Sequence, residues 1–191
     1  EFYGIVKTGG FDVLIGNPPY IVYPGEAVEY DLSKAAYATL PTKNLYAFVY
    51  ERSIQLARAN GIVGLIVQLT SMSSERMPPM QDLLLQRGHL QAISFPRRPE
   101  SVFEGVEMPV AILLSRPNGE RRITTSRINR FYTEERDTAL KNMSTVKHEV
   151  RLDGHRIAKL GRDIETQIFG RVLSQRSSLG ALTSKGGKHI L

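Results

Sequence analysis

The sequence predicts an α/β fold with a doubly wound sheet, and three observations carry that prediction. The run Val13-Leu14-Ile15 is apolar, rich in β-branched residues and ended by Gly16, which reads as a short buried strand. Residues 62–68, Ile-Val-Gly-Leu-Ile-Val-Gln, form a second run, apolar enough for a parallel strand buried on both faces. Between them, Leu45, Phe48, Val49, Arg52 and Leu56 recur at helical spacing. Strand, crossover helix and parallel strand make one right-handed unit.

The first strand runs into Asn17-Pro18-Pro19-Tyr20. Each proline fixes φ and lacks an N–H, and Asn17, preceding a proline, is pushed to extended geometry. The result is a stiff polar loop at the carboxyl end of a core strand, where open α/β sheets bind ligands. Its chemistry suits an exocyclic amino group on a nucleobase, whose lone pair is delocalised into the ring. Two acceptors, the Asn17 side-chain oxygen and the Pro18 carbonyl, would draw density onto that nitrogen, and Tyr20 would stack on the ring. No base is needed before transfer, because the proton can leave afterwards.

Composition bounds the reading. The chain has 191 residues, 41% hydrophobic, enough for one domain with a core and an appendage. No apolar run reaches the length of a membrane span, so no membrane partner is expected. The N-terminal Glu1-Phe2-Tyr3 is neither a signal peptide nor a natural start. The absence of cysteine excludes disulfides and thiolate metal sites and fits a prokaryotic cytoplasm. His89, His148, His155 and His189 lack metal-ligand spacing, so no metal is expected. The net charge of +6 is uneven: residues 1–115 hold 9 basic and 11 acidic side chains, residues 116–191 hold 16 and 8. A basic C-terminal part beside a neutral one suits a polyanion.

In chain order, residues 1–10 read as the end of a helix broken by Gly9-Gly10. Residues 21–43, with Pro24, Gly25 and Pro41, form a long irregular excursion beside the loop. Asn44 is the expected N-cap of the helix, Glu51 and Gln55 face outward, and Asn60-Gly61 supplies the left-handed cap. Residues 70–78 are a loop, 80–87 a short helix ended by Gly88, and 90–95 and 109–115 strands. After the Asn118-Gly119 turn, 121–131 alternates like an exposed strand, 133–143 is helical, and 148–157 is loop or short extended segment. Ile164, Ile168, Val172 and Leu173 mark a helix over about 161–175, ended by the stretch 177–180.

The string Gly9-Gly10-Phe11-Asp12-Val13-Leu14-Ile15-Gly16-Asn17-Pro18-Pro19-Tyr20 resembles motif IV of the adenine-N6 DNA methyltransferases, in particular those fused to restriction activity (type IIG) or found in phage defence. Asn44-Leu45-Tyr46 and the strand from Ile62 resemble motifs V and VI, and residues 101–106 resemble motif VIII. The resemblance implies a class I S-adenosylmethionine-dependent methyltransferase core of Rossmann-like fold. It implies catalytic roles for Asn17, Pro18, Pro19 and Tyr20, with Phe103 covering the second face of the base. It also implies S-adenosylmethionine as cofactor, held in part by Asn17, Pro19, Leu45 and Val49. Two departures stand out: Asn44 replaces the usual acid, and Val49 takes an aromatic's place, with Phe48 one residue earlier.

The Gly-rich cofactor loop of that fold has no counterpart in the sequence. The chain therefore reads as the second half of a catalytic domain (1–117) followed by a basic linker and helical extension (118–191). Its expected partners are double-stranded DNA, the missing N-terminal half and a target-recognition domain. The isolated chain is expected to be inactive, and no endonuclease array is visible. Alternatives are methyl transfer to RNA or to protein glutamine, and a non-catalytic DNA-binding or assembly module.

Overall fold

The computed structural model describes residues 2–24, 31–32, 35–103, 105–117, 121–152 and 154–175. A short helix α1 (Tyr3–Lys7) leads through Gly9 and Gly10, both at positive φ, into β1 (Phe11–Gly16). Gly10 also lies where a Cβ would sit 2.4 Å from the Leu56 carbonyl, so no other residue fits this entry to the strand. Then follow α2 (Leu45–Leu56), β2 (Ala57–Gln68), α3 (Pro78–Gln86), β3 (His89–Phe95), β4 (Val110–Arg116) and β5 (Arg122–Ile128). The chain continues with α4 (Arg136–Lys141), β6 (Thr145–His148), a small ribbon of β7 (Arg151–Leu152) and β8 (Arg156–Ile157), and α5 (Asp163–Leu173).

Six strands form one mixed sheet in the order β1-β2-β4-β3-β5-β6. The β1–β2 and β3–β5 pairs are parallel. Strand β4 is antiparallel to both β2 and β3. The sheet runs across the 117/118 boundary, because β5 and β6 extend it. The main core lies under one face, where Val63, Leu65, Val67, Leu90, Ala92 and Leu113 meet Tyr46, Tyr50, Met80 and Leu84 of α2 and α3. A second cluster, Ile93, Phe95, Val102, Val110 and Phe131, covers the carboxyl end of β3 and the start of β4.

The structure corrects four local expectations. Asn44 precedes α2 with extended geometry, but its side chain makes no cap bond to the helix and instead donates to the Thr42 carbonyl at 2.6 Å. Asn60-Gly61 does not end α2. The helix stops at Leu56, Ala57 is already extended, and both residues lie inside β2. The register passes from Phe11↔Ala57 to Val13↔Ile62, so residues 58–61 oppose Asp12 alone. In this wide bulge Gly61 is required by contact rather than by a left-handed turn: a Cβ there would lie 2.6 Å from the Phe11 carbonyl. Arg58 closes the bulge by donating to the Gly10 carbonyl at 2.9 Å and to Asp12 at 2.7 Å.

The third correction concerns Glu51, which faces inward. It is 7% exposed and its carboxylate accepts from Ala38 N, Thr39 N and Thr39 Oγ1 at 2.9, 2.9 and 2.7 Å. A buried carboxylate with three donors is satisfied, which helical periodicity cannot foresee. Fourth, residues 122–128 are an interior strand, with Ile123, Thr125 and Ser126 buried. Gln55 does face outward. Helix α5 forms as expected, although Ile164, Ile168, Val172 and Leu173 remain about half exposed or more. The Asn118-Gly119 turn and the stretch 177–180 lie outside the described residues.

His148, 4% exposed, ties β6 to the segment after β8. Its Nδ1 accepts from Val150 N at 3.0 Å, and its Nε2 lies 2.7 Å from Thr125 Oγ1. That hydroxyl donates to the Leu160 carbonyl at 2.8 Å, so Nε2 carries the proton and the ring is neutral. Burial lowers the His148 pKa, against a smaller opposing backbone hydrogen bond at Ala158.

Two outcomes follow from these contacts. Because the folded pKa lies below the unfolded one, His148 contributes full stability above about pH 6.5. That stability falls as the pH drops, at up to about 1.4 kcal/mol per pH unit. Urea titrations across this range will show the slope, and His148→Asn will remove it. Glu51→Gln, which places an amide NH2 against backbone donors, will cost about 2 kcal/mol and speed hydrogen exchange at Ala38 and Thr39.

Candidate active site

Gly16 pairs with Leu65 in the last register position of the β1–β2 ladder, so Asn17 is the first residue beyond it. Two successive residues without N–H groups then keep the chain from rejoining the sheet. Pro18 is buried, Asn17 and Pro19 are exposed, and Tyr20 is half-buried. The Tyr20 hydroxyl donates to Asn17 Oδ1 at 3.0 Å. This contact fixes the amide with its oxygen as acceptor and leaves that oxygen a second lone pair.

Tyr20 is itself held from two sides. Its ring meets Tyr46 edge-on, with centroids 6.1 Å apart at 87°, and it packs against both apolar clusters. Burial raises the Tyr20 phenol above its usual value of 10.0, so it remains a neutral donor through the physiological range. Tyr46 is fully buried and its hydroxyl reaches the Met77 sulfur at 3.7 Å. Its pKa is also raised, chiefly by burial, with the Thr70 hydroxyl opposing. Sulfur, two phenols and an amide thus form a graded path from core to surface.

The excursion leaves directly after Tyr20 and returns directly before α2. Leu45 N donates to the Ile21 carbonyl at 3.0 Å, Tyr23 N to the Lys43 carbonyl at 2.8 Å, and Val22 bridges Asn44. These contacts make a closed neck. Beyond it, Tyr37 stacks on Phe48 at 6.1 Å and 8°, Tyr23 meets Phe48 edge-on at 5.8 Å, and Glu51 holds Thr39.

Among the residues singled out in the sequence, Asn17, Pro18, Pro19 and Tyr20 lie together in the loop after β1, closed by the Tyr20–Asn17 hydrogen bond. Phe103 is partly buried against the same cluster of Ile93, Phe95, Val102, Val110 and Phe131 that receives Tyr20. Val49 is 38% exposed and lines an apolar groove of about 300 Å³ with Phe11, Val13, Gly16 and Ser53, adjoining Asn17. Leu45 is 5% exposed and belongs to the core beneath the neck. Sequence reading missed Tyr46, Tyr23 and Glu51. The run Asn44-Leu45-Tyr46 was a usable signal for the first, whereas nothing local marked the other two.

The family model of the Eco57I restriction-modification methylases matches residues 1–103. Among solved structures, the DrdV–DNA complex is 16% identical with a TM-score of 0.57, over 75% of this chain and 18% of that one. The type ISP restriction-modification enzyme LlaBIII bound to DNA is 16% identical with a TM-score of 0.55, over 75% and 12%. The M protein of the type I restriction enzyme EcoKI is 14% identical with a TM-score of 0.52, over 70% and 29%. The chain thus spans less than a third of the length of each. These likenesses identify the fold as the class I methyltransferase core. With the match covering more than half of the chain, the protein belongs to the Eco57I restriction-modification methylase family.

Proposed function

We propose that this chain is the target-binding part of a restriction-modification or phage-defence DNA methyltransferase that acts on the N6 amino group of a flipped adenine. The observation that carries the reading is the Asn17 amide oxygen, oriented by Tyr20 at the carboxyl end of β1. An adenine amino group held between that oxygen and the Pro18 carbonyl donates both its N–H bonds. Its lone pair is then drawn out of ring conjugation toward the donor methyl. Tyr20 stacks on one face of the base, and Phe103 covers the other. Expelling the base from the duplex costs a few kcal/mol, which stacking and the two hydrogen bonds offset.

S-adenosylmethionine supplies a methyl group on a positively charged sulfur. The groove beside Asn17, apolar and walled by Val49 and Gly16, fits one side of such a nucleoside ligand. Asn17, Pro19 and Val49 would hold it, and Leu45 would support the helix turn behind them. Duplex DNA is the proposed substrate, favoured by the basic character of residues 116–191. Residues 1–117 serve as the second half of the catalytic domain, and 118–191 as an extension toward a target-recognition domain. An N-terminal half is the proposed neighbour of β1. That strand's outer edge pairs with no strand among the described residues, and Val13 and Ile15 are 51% and 83% exposed. The setting is the prokaryotic cytoplasm; no helix among the described residues is long and apolar enough to cross a membrane.

In the full-length protein, Asn17→Ala should lower adenine methylation by about 10²-fold or more with an unchanged circular dichroism spectrum. Rates near wild type would remove Asn17 from the mechanism. Tyr20→Phe keeps the ring but frees the Asn17 amide. It should lower kcat about fivefold while leaving DNA affinity intact, since a neutral hydrogen bond contributes about 1 kcal/mol. Tyr20→Ala should also lose about 1–3 kcal/mol of base stacking, read as weaker 2-aminopurine flipping.

A further inference from the structure

At the amino ends of β3 and β5, the end of α3, the two strand starts and the segment after β6 enclose a recess of about 110 Å³. Gly88, buried and at positive φ, turns the chain from α3 into β3. Arg122 N donates to the Gly88 carbonyl at 3.0 Å, so β5 enters the sheet against that turn. Ile123 then lies between Leu90 of β3 and His148 of β6. His148 Nδ1 accepts from Val150 N and so holds the segment that carries Glu149 and Arg151 beside the recess. Beyond it, the β7–β8 ribbon is tied to α3 through His155 and Asp82, 2.7 Å apart.

The recess has an apolar floor and a cationic rim. Leu85, Leu90 and Ile123 are 7%, 0% and 4% exposed and supply the floor. Arg121, exposed, and Arg122 and Arg151, half-buried, lie outward of them. Glu149 is the one carboxylate among the lining residues. Guanidiniums gathered around a concave site repel one another, and each can grip an oxyanion through paired, planar hydrogen bonds. A water-sized group needs roughly 10–15 Å³ of such space, so the recess has room for an acid group together with several carbon atoms.

We infer that this recess is a binding site for a small organic anion, its acid group held by Arg121, Arg122 and Arg151 and its short apolar part resting on Leu85, Leu90 and Ile123. Duplex DNA is the less suitable occupant for two reasons. A phosphate backbone offers no apolar group to the floor, which then stays in water. The full length of β3, seven residues or about 20 Å, also separates the recess from that strand's carboxyl end. The bound anion joins the entry of β5 to the start of β7. It thereby fastens a ribbon of two-residue strands that their own pairing holds only weakly. The inference does not depend on the proposed methylation chemistry.

The test is a methyl NMR titration of the full chain with isovalerate as the probe. Saturable shifts should appear at the methyl groups of Leu85, Leu90 and Ile123, with slower amide exchange in the β7–β8 ribbon. Acetate, which lacks the apolar part, and isovaleramide, which lacks the charge, should each bind about tenfold more weakly or worse. The Arg121→Gln/Arg151→Gln double variant, at rim positions, should lose about tenfold in isovalerate affinity while keeping its Tm. Absence of saturable shifts at these methyls, equal binding of acetate or isovaleramide, or unchanged affinity in the double variant would overturn the inference. So would displacement of isovalerate by a short DNA duplex, which would assign the recess to a phosphate backbone. Because no readout uses methylation, failure here and failure of the Asn17 mechanism are separable.

Discussion

The parallel pairing of β1 with β2 is the constraint on which the site depends. Backbone hydrogen bonds carry β1 as far as Gly16 and no farther, and the next residue is the one whose amide oxygen does the proposed work. Two prolines then prevent the ladder from continuing, so the position of Asn17 is set by where pairing stops rather than by the loop's own contacts. The bulge in β2 belongs to the same constraint. By letting residues 58–61 oppose Asp12, it brings the rest of β2 into register with the end of β1.

The parts of the fold that were legible in sequence are those with local causes. Apolar runs gave the strands, period 3.6 gave the body of α2, and the Asn-Pro-Pro-Tyr turn followed from proline chemistry alone. What was not legible has non-local causes. Glu51 is a charged residue on a helix, and only the return of residues 38–39 onto it makes it internal. Asn60-Gly61 carries a helix-stop signature, yet contact with Phe11 across the sheet decides its conformation. At 122–128 the alternation was read correctly as a strand, but a polar alternate face does not say whether the strand sits at an edge or inside.

The site shows the same division. Asn17 and Tyr20 are three residues apart, and their hydrogen bond is a property of the tetrapeptide. The support beneath Tyr20 comes from Tyr46 and from a cluster assembled from β3, β4 and the segment around Phe103 and Phe131. Likeness to the DNA-bound enzymes, at 16% identity, lies in the path of the chain and not in its surface. Asn17 and Tyr20, proposed as acceptor and stacking ring, are therefore set in a fold shared with proteins of low identity.

The closed neck between Ile21–Tyr23 and Lys43–Leu45 separates the length of the excursion from the geometry on either side of it. Once the ends of a loop are fixed, lengthening it costs only about 0.6 kcal/mol per doubling. Insertions that keep Tyr37, Ala38 and Thr39 against Phe48 and Glu51 can therefore be accommodated without displacing Tyr20 on one side or the first turn of α2 on the other. This makes the excursion the segment beside the site where new sequence is most cheaply tried.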